Sequence, residues 1–147
     1  MNLIDSRLAT FGSAVFALVL IVSPVQAKYD GTPFDSIQKM VDAGDYEQAI
    51  GELETMLSDD DQNTDVLTLL GYSYRKQAQF DTAKEYYFRA LEIDPEHKAA
   101  NEYLGQLYLE TKELEKAQER LAVLDEACFL PCSEYTTLKQ AIETYQP

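Results

Sequence analysis

The strongest constraint in this sequence is an internal repeat with a constant period. Ala49, Ala83 and Ala117 are equally spaced along the chain. Larger apolar residues recur at the same interval around these alanines: Tyr46, Phe80 and Leu114, then Leu53, Tyr87 and Leu121. A small residue at a fixed place in a repeat lets two helix backbones approach to about 8–10 Å. A chain with this period stacks similar units, which bury a continuous core between neighbours.

Within each repeat the apolar residues follow the period of an α-helix. Leu67, Leu70, Gly71 and Tyr74 stand at i, i+3, i+4 and i+7, and a break follows over residues 76–79. A break this short joins two antiparallel helices into a hairpin. We therefore predict an all-α protein with helices over residues 33–43, 46–58, 65–77, 80–93, 98–111, 114–127 and 133–145.

The middle copy, residues 64–97, resembles a tetratricopeptide repeat (TPR), a helix–turn–helix unit of about 34 residues. The residues that match the family signature are Leu70, Gly71, Tyr74, Ala83, Tyr87, Ala90 and Pro95. The resemblance implies a helical-hairpin solenoid of three repeats, at about residues 30–63, 64–97 and 98–131. A capping helix at 133–145 would cover the last repeat, since a solenoid needs a polar outer end.

Residues 1–27 have the layout of a Sec-type signal peptide. Arg7 precedes an apolar stretch over 11–22, and small side chains at Val25 and Ala27 suit a signal peptidase. We predict cleavage after Ala27, which leaves residues 28–147 as a periplasmic or secreted TPR domain with no membrane span. An uncleaved anchor is the alternative, although this apolar stretch falls well short of the roughly 20 residues that span a bilayer.

The charge balance argues against nucleic acid as a partner. The chain has 26 acidic residues against 12 Lys plus Arg, a formal net charge of −14, whereas phosphate backbones are bound by surplus cations. An enzyme is not expected, because His97 is the single histidine and its place in an inter-repeat turn indicates a solvated side chain. The run 59–63 begins like a calcium loop but lacks the required Gly and terminal Glu. We predict no cofactor, no metal site and no small-molecule substrate.

Cys128 and Cys132 are the ambiguous feature of the sequence. An even pair of cysteines in an exported protein favours a disulfide, and Pro131 lets the chain turn back between them. The alternative is a metal- or redox-handling accessory protein that uses these two thiols.

In the TPR family the first helix of each hairpin lines a concave groove that binds a peptide or a partner helix. The resemblance places on that groove Phe34, Gln38, Leu69, Tyr72, Lys76, Tyr103, Gln106 and Glu110. For Leu69, packing against the next repeat is an equal alternative. The resemblance therefore implies a scaffold that binds a protein or peptide partner. Together with the predicted signal peptide, it leads us to expect that partner in the cell envelope, in a periplasm of the Gram-negative type.

Two other possibilities concern the same groove. Family members that clamp acidic chaperone tails use cationic residues, and the corresponding residues here offer none: Phe34, Gln38, Leu69, Ala99 and Tyr103. That function is rejected. A structural module whose groove is filled by a neighbouring subunit remains open.

Overall fold

A computed structural model describes residues 32–146, so the predicted signal peptide at 1–27 lies outside the described residues. Within that range the secondary structure is entirely helical. The helices are α1 (Pro33–Ala43), α2 (Tyr46–Asp59), α3 (Thr64–Lys76), α4 (Phe80–Ile93), α5 (Lys98–Glu110), α6 (Leu114–Ala127) and α7 (Ser133–Thr144). The predicted all-α solenoid of helical hairpins is confirmed. Among these seven helices, none is long and apolar enough to cross a membrane.

Polar side chains fix where the first helix of each hairpin begins. Asp35 N donates to Thr32 Oγ1 (3.2 Å) ahead of α1, and Val66 N donates to Asn63 Oδ1 (3.1 Å) ahead of α3. Each bond satisfies a backbone amide that a helix start leaves without a partner. Asn63, which ends the run that begins like a calcium loop, is therefore a helix cap.

His97 caps α5 and is not the solvated side chain that its turn position predicted. Its Nδ1 accepts from Ala100 N (3.2 Å), and its Nε2 lies 3.1 Å from Asp65 Oδ1. Only 13% of the side chain is exposed. The imidazole thus joins the start of α5 to the start of α3, a contact between repeats that sequence position alone does not reveal.

The turn inside each hairpin reuses one backbone conformation. Gly44, Ala78 and Lys112 have positive φ of 83°, 58° and 64°, and they are spaced by the same interval as the repeat alanines. This left-handed region is natural for glycine and costs about 1–2 kcal/mol at Ala78 and Lys112. The same turn therefore recurs even where the sequence does not favour it, because helix packing on both sides dictates it.

The core runs along the stack of hairpins, and small residues allow its closest approaches. Tyr87 of α4 is fully buried against Gly71 of α3, and Leu138 of α7 is fully buried against Gly105 of α5. Through Leu138, α7 takes the place that the first helix of a further repeat would take, packing on α5 and α6. This is the role predicted for the capping helix.

We expect Gly71→Ala to lower the free energy of unfolding by about 2 kcal/mol. A β-carbon at Gly71 would lie 2.6 Å from Cε1 and 2.7 Å from Cδ1 of the buried Tyr87 ring. The ring or the helix must then shift. Gly51, in the middle of α2, is the matched control because a β-carbon there meets nothing within 4 Å. Gly51→Ala should stabilise by about 0.5–1 kcal/mol through helix propensity alone. Urea unfolding measures both, and two changes of the same sign would contradict the packing described here.

The two cysteines are joined by a disulfide in the loop between α6 and α7. The Cα atoms of Cys128 and Cys132 are 5.9 Å apart, a separation usual for such a bridge. The loop that it closes presents Phe129 and Leu130 to solvent, with 99% and 72% of their surface exposed. The described residues contain no cluster of three or more His, Cys, Asp or Glu side chains that could hold a metal.

Candidate functional site

The feature that organises the site is a pair of tyrosines contributed by two consecutive repeats. The rings of Tyr72 on α3 and Tyr103 on α5 have centroids 4.9 Å apart, and both side chains are partly exposed. Tyr46 of α2 adds a third ring, edge-on to Tyr72 at 6.4 Å. Partly exposed tyrosines offer large, rigid contact area with a polar tip, which is typical of binding surfaces.

Polar residues of α3 and α5 surround this pair. The ammonium group of Lys76 lies 5.3 Å from the centre of the Tyr72 ring, and Gln106 and Glu110 lie further along α5. We call the surface formed by Tyr72, Lys76, Tyr103, Gln106 and Glu110 the groove face. These are five of the eight residues that the family resemblance placed on the groove.

Of the other three, the structure buries Leu69 and leaves Phe34 and Gln38 partly exposed on α1. Leu69 is only 6% exposed and packs in the core with α1 and α2. It is therefore buried against the preceding repeat, and not against the next one as its alternative had it. Phe34 is half-buried and packs against the same core cluster as Tyr72. Gln38 donates from Nε2 to Asp42 Oδ1 (3.0 Å) on its own helix. Phe34 and Gln38 therefore lie on the first helix of the first repeat, where the resemblance placed them.

A shallow pocket of about 340 Å³ continues the groove face onto α7. It is lined by Gln106, Leu109 and Glu110 of α5 and by Ala141, Thr144 and Tyr145. The capping helix thus contributes to the candidate site as well as covering the core.

Arg75 is a buried cation beneath the groove face that the sequence analysis did not single out. It is 4% exposed, its Nη1 lies 2.6 Å from Glu110 Oε1, and its guanidinium lies 5.3 and 5.9 Å from the rings of Tyr72 and Tyr103. A buried charged side chain is tolerated when it forms an ion pair, and guanidinium groups stack well on aromatic rings. Arg75 therefore holds the two tyrosines and Glu110 in one arrangement.

Glu102 is the second functional candidate that the sequence analysis missed. It is 9% exposed, and its Oε1 accepts from Gln106 Nε2 (2.7 Å). Burial first, and then the charge of Glu134 on α7, raises its pKa from 4.5 to about 7, although Arg75 and the Gln106 bond act in the opposite direction. Burial and the neighbouring Glu102 charge likewise raise the pKa of Tyr103. The site therefore carries a carboxyl group whose ionisation is disfavoured.

This carboxyl group makes stability depend on pH with a definite sign. Because the pKa of Glu102 is about 7 when folded and 4.5 in its ordinary state, the folded chain holds an extra proton between these values. Stability is therefore lost as pH rises from about 4.5 to 7. The variant Glu102→Gln keeps a hydrogen-bond acceptor for Gln106 but cannot ionise. We expect the difference in free energy of unfolding between this variant and the unmodified protein to grow in favour of the variant by on the order of 2 kcal/mol as pH rises from about 4.5 to 8.

Urea unfolding at both pH values measures that difference. Glu143→Gln, an exposed carboxylate of α7, is the matched control and should show a much smaller dependence. An equal dependence in the two variants would contradict the assignment to Glu102.

The sequence of this chain matches a family model described as tetratricopeptide repeat, over residues 40–87 and 74–142. A DnaJ protein P58IPK homolog of Arabidopsis thaliana is 33% identical over 101 residues, which are 67% of this chain and 20% of that protein. DnaJ protein P58IPK homolog B of Oryza sativa subsp. japonica is 40% identical over 53 residues, 36% of this chain and 11% of that protein. The chain thus spans a fifth or less of the length of these curated relatives.

Solved structures share the fold at low sequence identity. The type III secretion chaperone SycD of Yersinia enterocolitica, in complex with a peptide of the translocator YopD, superposes with a TM-score of 0.65 at 18% identity, covering 77% of this chain and 86% of that one. PcrH in complex with the chaperone binding region of PopD gives a TM-score of 0.67 at 13% identity, covering 77% and 87%. At these identities the similarity establishes the architecture alone.

Proposed function

The chain belongs to the tetratricopeptide repeat family, and from that premise we propose that it is a non-catalytic adaptor that binds an extended or helical segment of another protein on the groove face. The observation that carries the proposal is the Tyr72–Tyr103 pair, which joins two repeats in one partly exposed aromatic surface. Aromatic anchors of this kind dominate the binding energy of protein interfaces. The peptide complexes of SycD and PcrH support the proposal, since chains of the same fold bind peptide segments.

The side chains of the groove face are already held in place before binding. This arrangement favours a partner segment that becomes ordered when it binds. Arg75 stacks on both tyrosines and pairs with Glu110, so these side chains lose little further freedom when a partner arrives. Reducing that entropic cost raises affinity without any additional contact. The net charge of −14 would speed the encounter with basic segments, leave neutral ones unaffected and disfavour acidic ones.

We further propose that the partner is a protein of the cell envelope and that this chain works in the periplasm or outside the cell. The signal-like residues 1–27 support this location. The Cys128–Cys132 disulfide adds support, because such bridges persist in oxidising compartments. Fractionation of cells that express the full chain, with intact-mass measurement of the product, tests both the location and cleavage after Ala27.

Site-specific photocrosslinking in cells tests the binding role. A benzophenone amino acid replaces Gln106, on the groove face, or Phe88 of α4, which is 45% exposed on the second helix of its hairpin. We expect a discrete adduct from position 106 and none from position 88, and mass spectrometry then identifies the partner. Adducts of equal yield from both positions would show that capture does not depend on the groove face.

A further inference from the structure

The groove face borders two carboxylates that lack a cationic partner. Glu102 of α5 and Glu134 of α7 each lie about one helical turn before the contact between Gly105 and Leu138 that packs these two helices together. Within residues 32–146 neither carboxyl group forms an ion pair. Glu102 is also nine-tenths buried. Its hydrogen bond comes from the neutral amide of Gln106, and the charge of Arg75 offsets the effect of burial only in part.

Three cations on the neighbouring helices α3 and α7 already contact other groups. Arg75 is tied to Glu110 at 2.6 Å, Lys76 lies over the Tyr72 ring and Lys139 lies over the Tyr135 ring. The chain therefore places two carboxyl groups that form no ion pair within the described residues beside a partly exposed aromatic pair. This combination matches the two parts of a long basic side chain, whose methylene groups pack on rings while its charged end seeks carboxylates.

On the basis of the proposed function, we infer that the bound segment carries a lysine or arginine whose charged end lies between Glu102 and Glu134, with its stem against Tyr103. The basic group would compensate the buried carboxylate of Glu102 and relieve its repulsion from Glu134. Since α5 supplies one carboxylate and α7 the other, the capping helix becomes part of the specificity of the site. The apolar anchor at Tyr72 and Tyr103 would then supply affinity, and the two carboxylates would choose the partner.

A displayed library of short random peptides tests this inference without a known partner. It is selected on the purified protein, on Glu102→Gln/Glu134→Gln, and on the control Glu115→Gln/Glu143→Gln. Both double variants replace two carboxyl groups by amides, and the control carboxyl groups are exposed on α6 and α7. We expect the peptides selected on the unmodified protein and on the control to be enriched in Lys or Arg at a fixed distance from an apolar residue. The peptides selected on Glu102→Gln/Glu134→Gln should be enriched in the apolar residue alone.

A single selected peptide then measures the contact. Replacing its basic residue by norleucine should weaken binding to the protein about tenfold and binding to Glu102→Gln/Glu134→Gln less than about twofold. Equal weakening in the two proteins would overturn the inference.

The inference and the proposed function can fail separately. Peptides that require Tyr72 and Tyr103 but show no basic preference would overturn the inference and leave the adaptor role standing. A library that yields no peptide dependent on the two tyrosines would remove both. A melting temperature raised by millimolar calcium in the protein but not in Glu102→Gln/Glu134→Gln would identify a divalent cation as the occupant and likewise overturn the inference.

Discussion

Changing Tyr72 and Tyr103 together to alanine is expected to weaken binding of the partner segment by about two orders of magnitude or more. Each truncation removes an aromatic anchor at the centre of the groove face, and central aromatic anchors typically contribute about 2 kcal/mol or more apiece. The double change also removes the rings on which Arg75 stacks, so the site loses its preformed arrangement as well as its contact area. Fluorescence anisotropy with a labelled segment from the photocrosslinked partner measures the loss.

The control for this prediction is Phe88→Ala, which removes a partly exposed aromatic ring of α4 outside the groove face. It should leave the affinity essentially unchanged. Circular dichroism should show the helical content of both variants intact, because neither tyrosine is among the fully buried side chains of the core. Unchanged affinity in the folded double variant would place the binding surface elsewhere.

The second large effect concerns the capping helix. Leu138→Ala should lower the free energy of unfolding by about 3 kcal/mol, because Leu138 is fully buried over Gly105 and its loss leaves a cavity at the end of the core. This is a substantial part of the roughly 5–15 kcal/mol that usually stabilises a domain. Urea unfolding measured by circular dichroism gives the difference directly.

Lys139→Ala is the matched control for Leu138→Ala. Lys139 is the exposed neighbour on the same helix, and its removal should cost less than about 0.5 kcal/mol. If both changes in α7 had the same small effect, α7 would not cap the core. The contribution of Glu134 and Tyr145 to the site would then also be contradicted.

The fold was predictable because its determinants are local and recur in every repeat. Gly71 and Tyr87 belong to one hairpin, so their packing requires only a short turn between two helices. The predicted helix ends lie at the observed ends or at the position beside them. The start of α3 is an instance: Asn63 caps the helix, which therefore begins at Thr64 instead of residue 65.

The site was predictable only in part. Family resemblance indicated Tyr72 and Tyr103, but Arg75 and Glu102 owe their burial to packing between repeats, which no single helix pattern contains. Aligning the repeats does indicate that Arg75 is buried. Arg75 occupies the position that Val41 and Leu109 occupy in the repeats on either side, and both of these are buried apolar residues. A charged residue at a core position of the repeat indicates a buried ion pair. Glu102 likewise occupies the position that Thr68, which is buried, occupies in the preceding repeat.

The most direct test of the central claim is an NMR titration of the isotopically labelled protein with the partner segment. We expect the largest amide shift changes in α3 and α5 around Tyr72, Tyr103 and Gln106, smaller ones in α7, and little change in α4 around Phe88. That pattern would place the segment on the groove face. Shift changes concentrated on α2, α4 and α6, with α3 and α5 unaffected, would contradict the account.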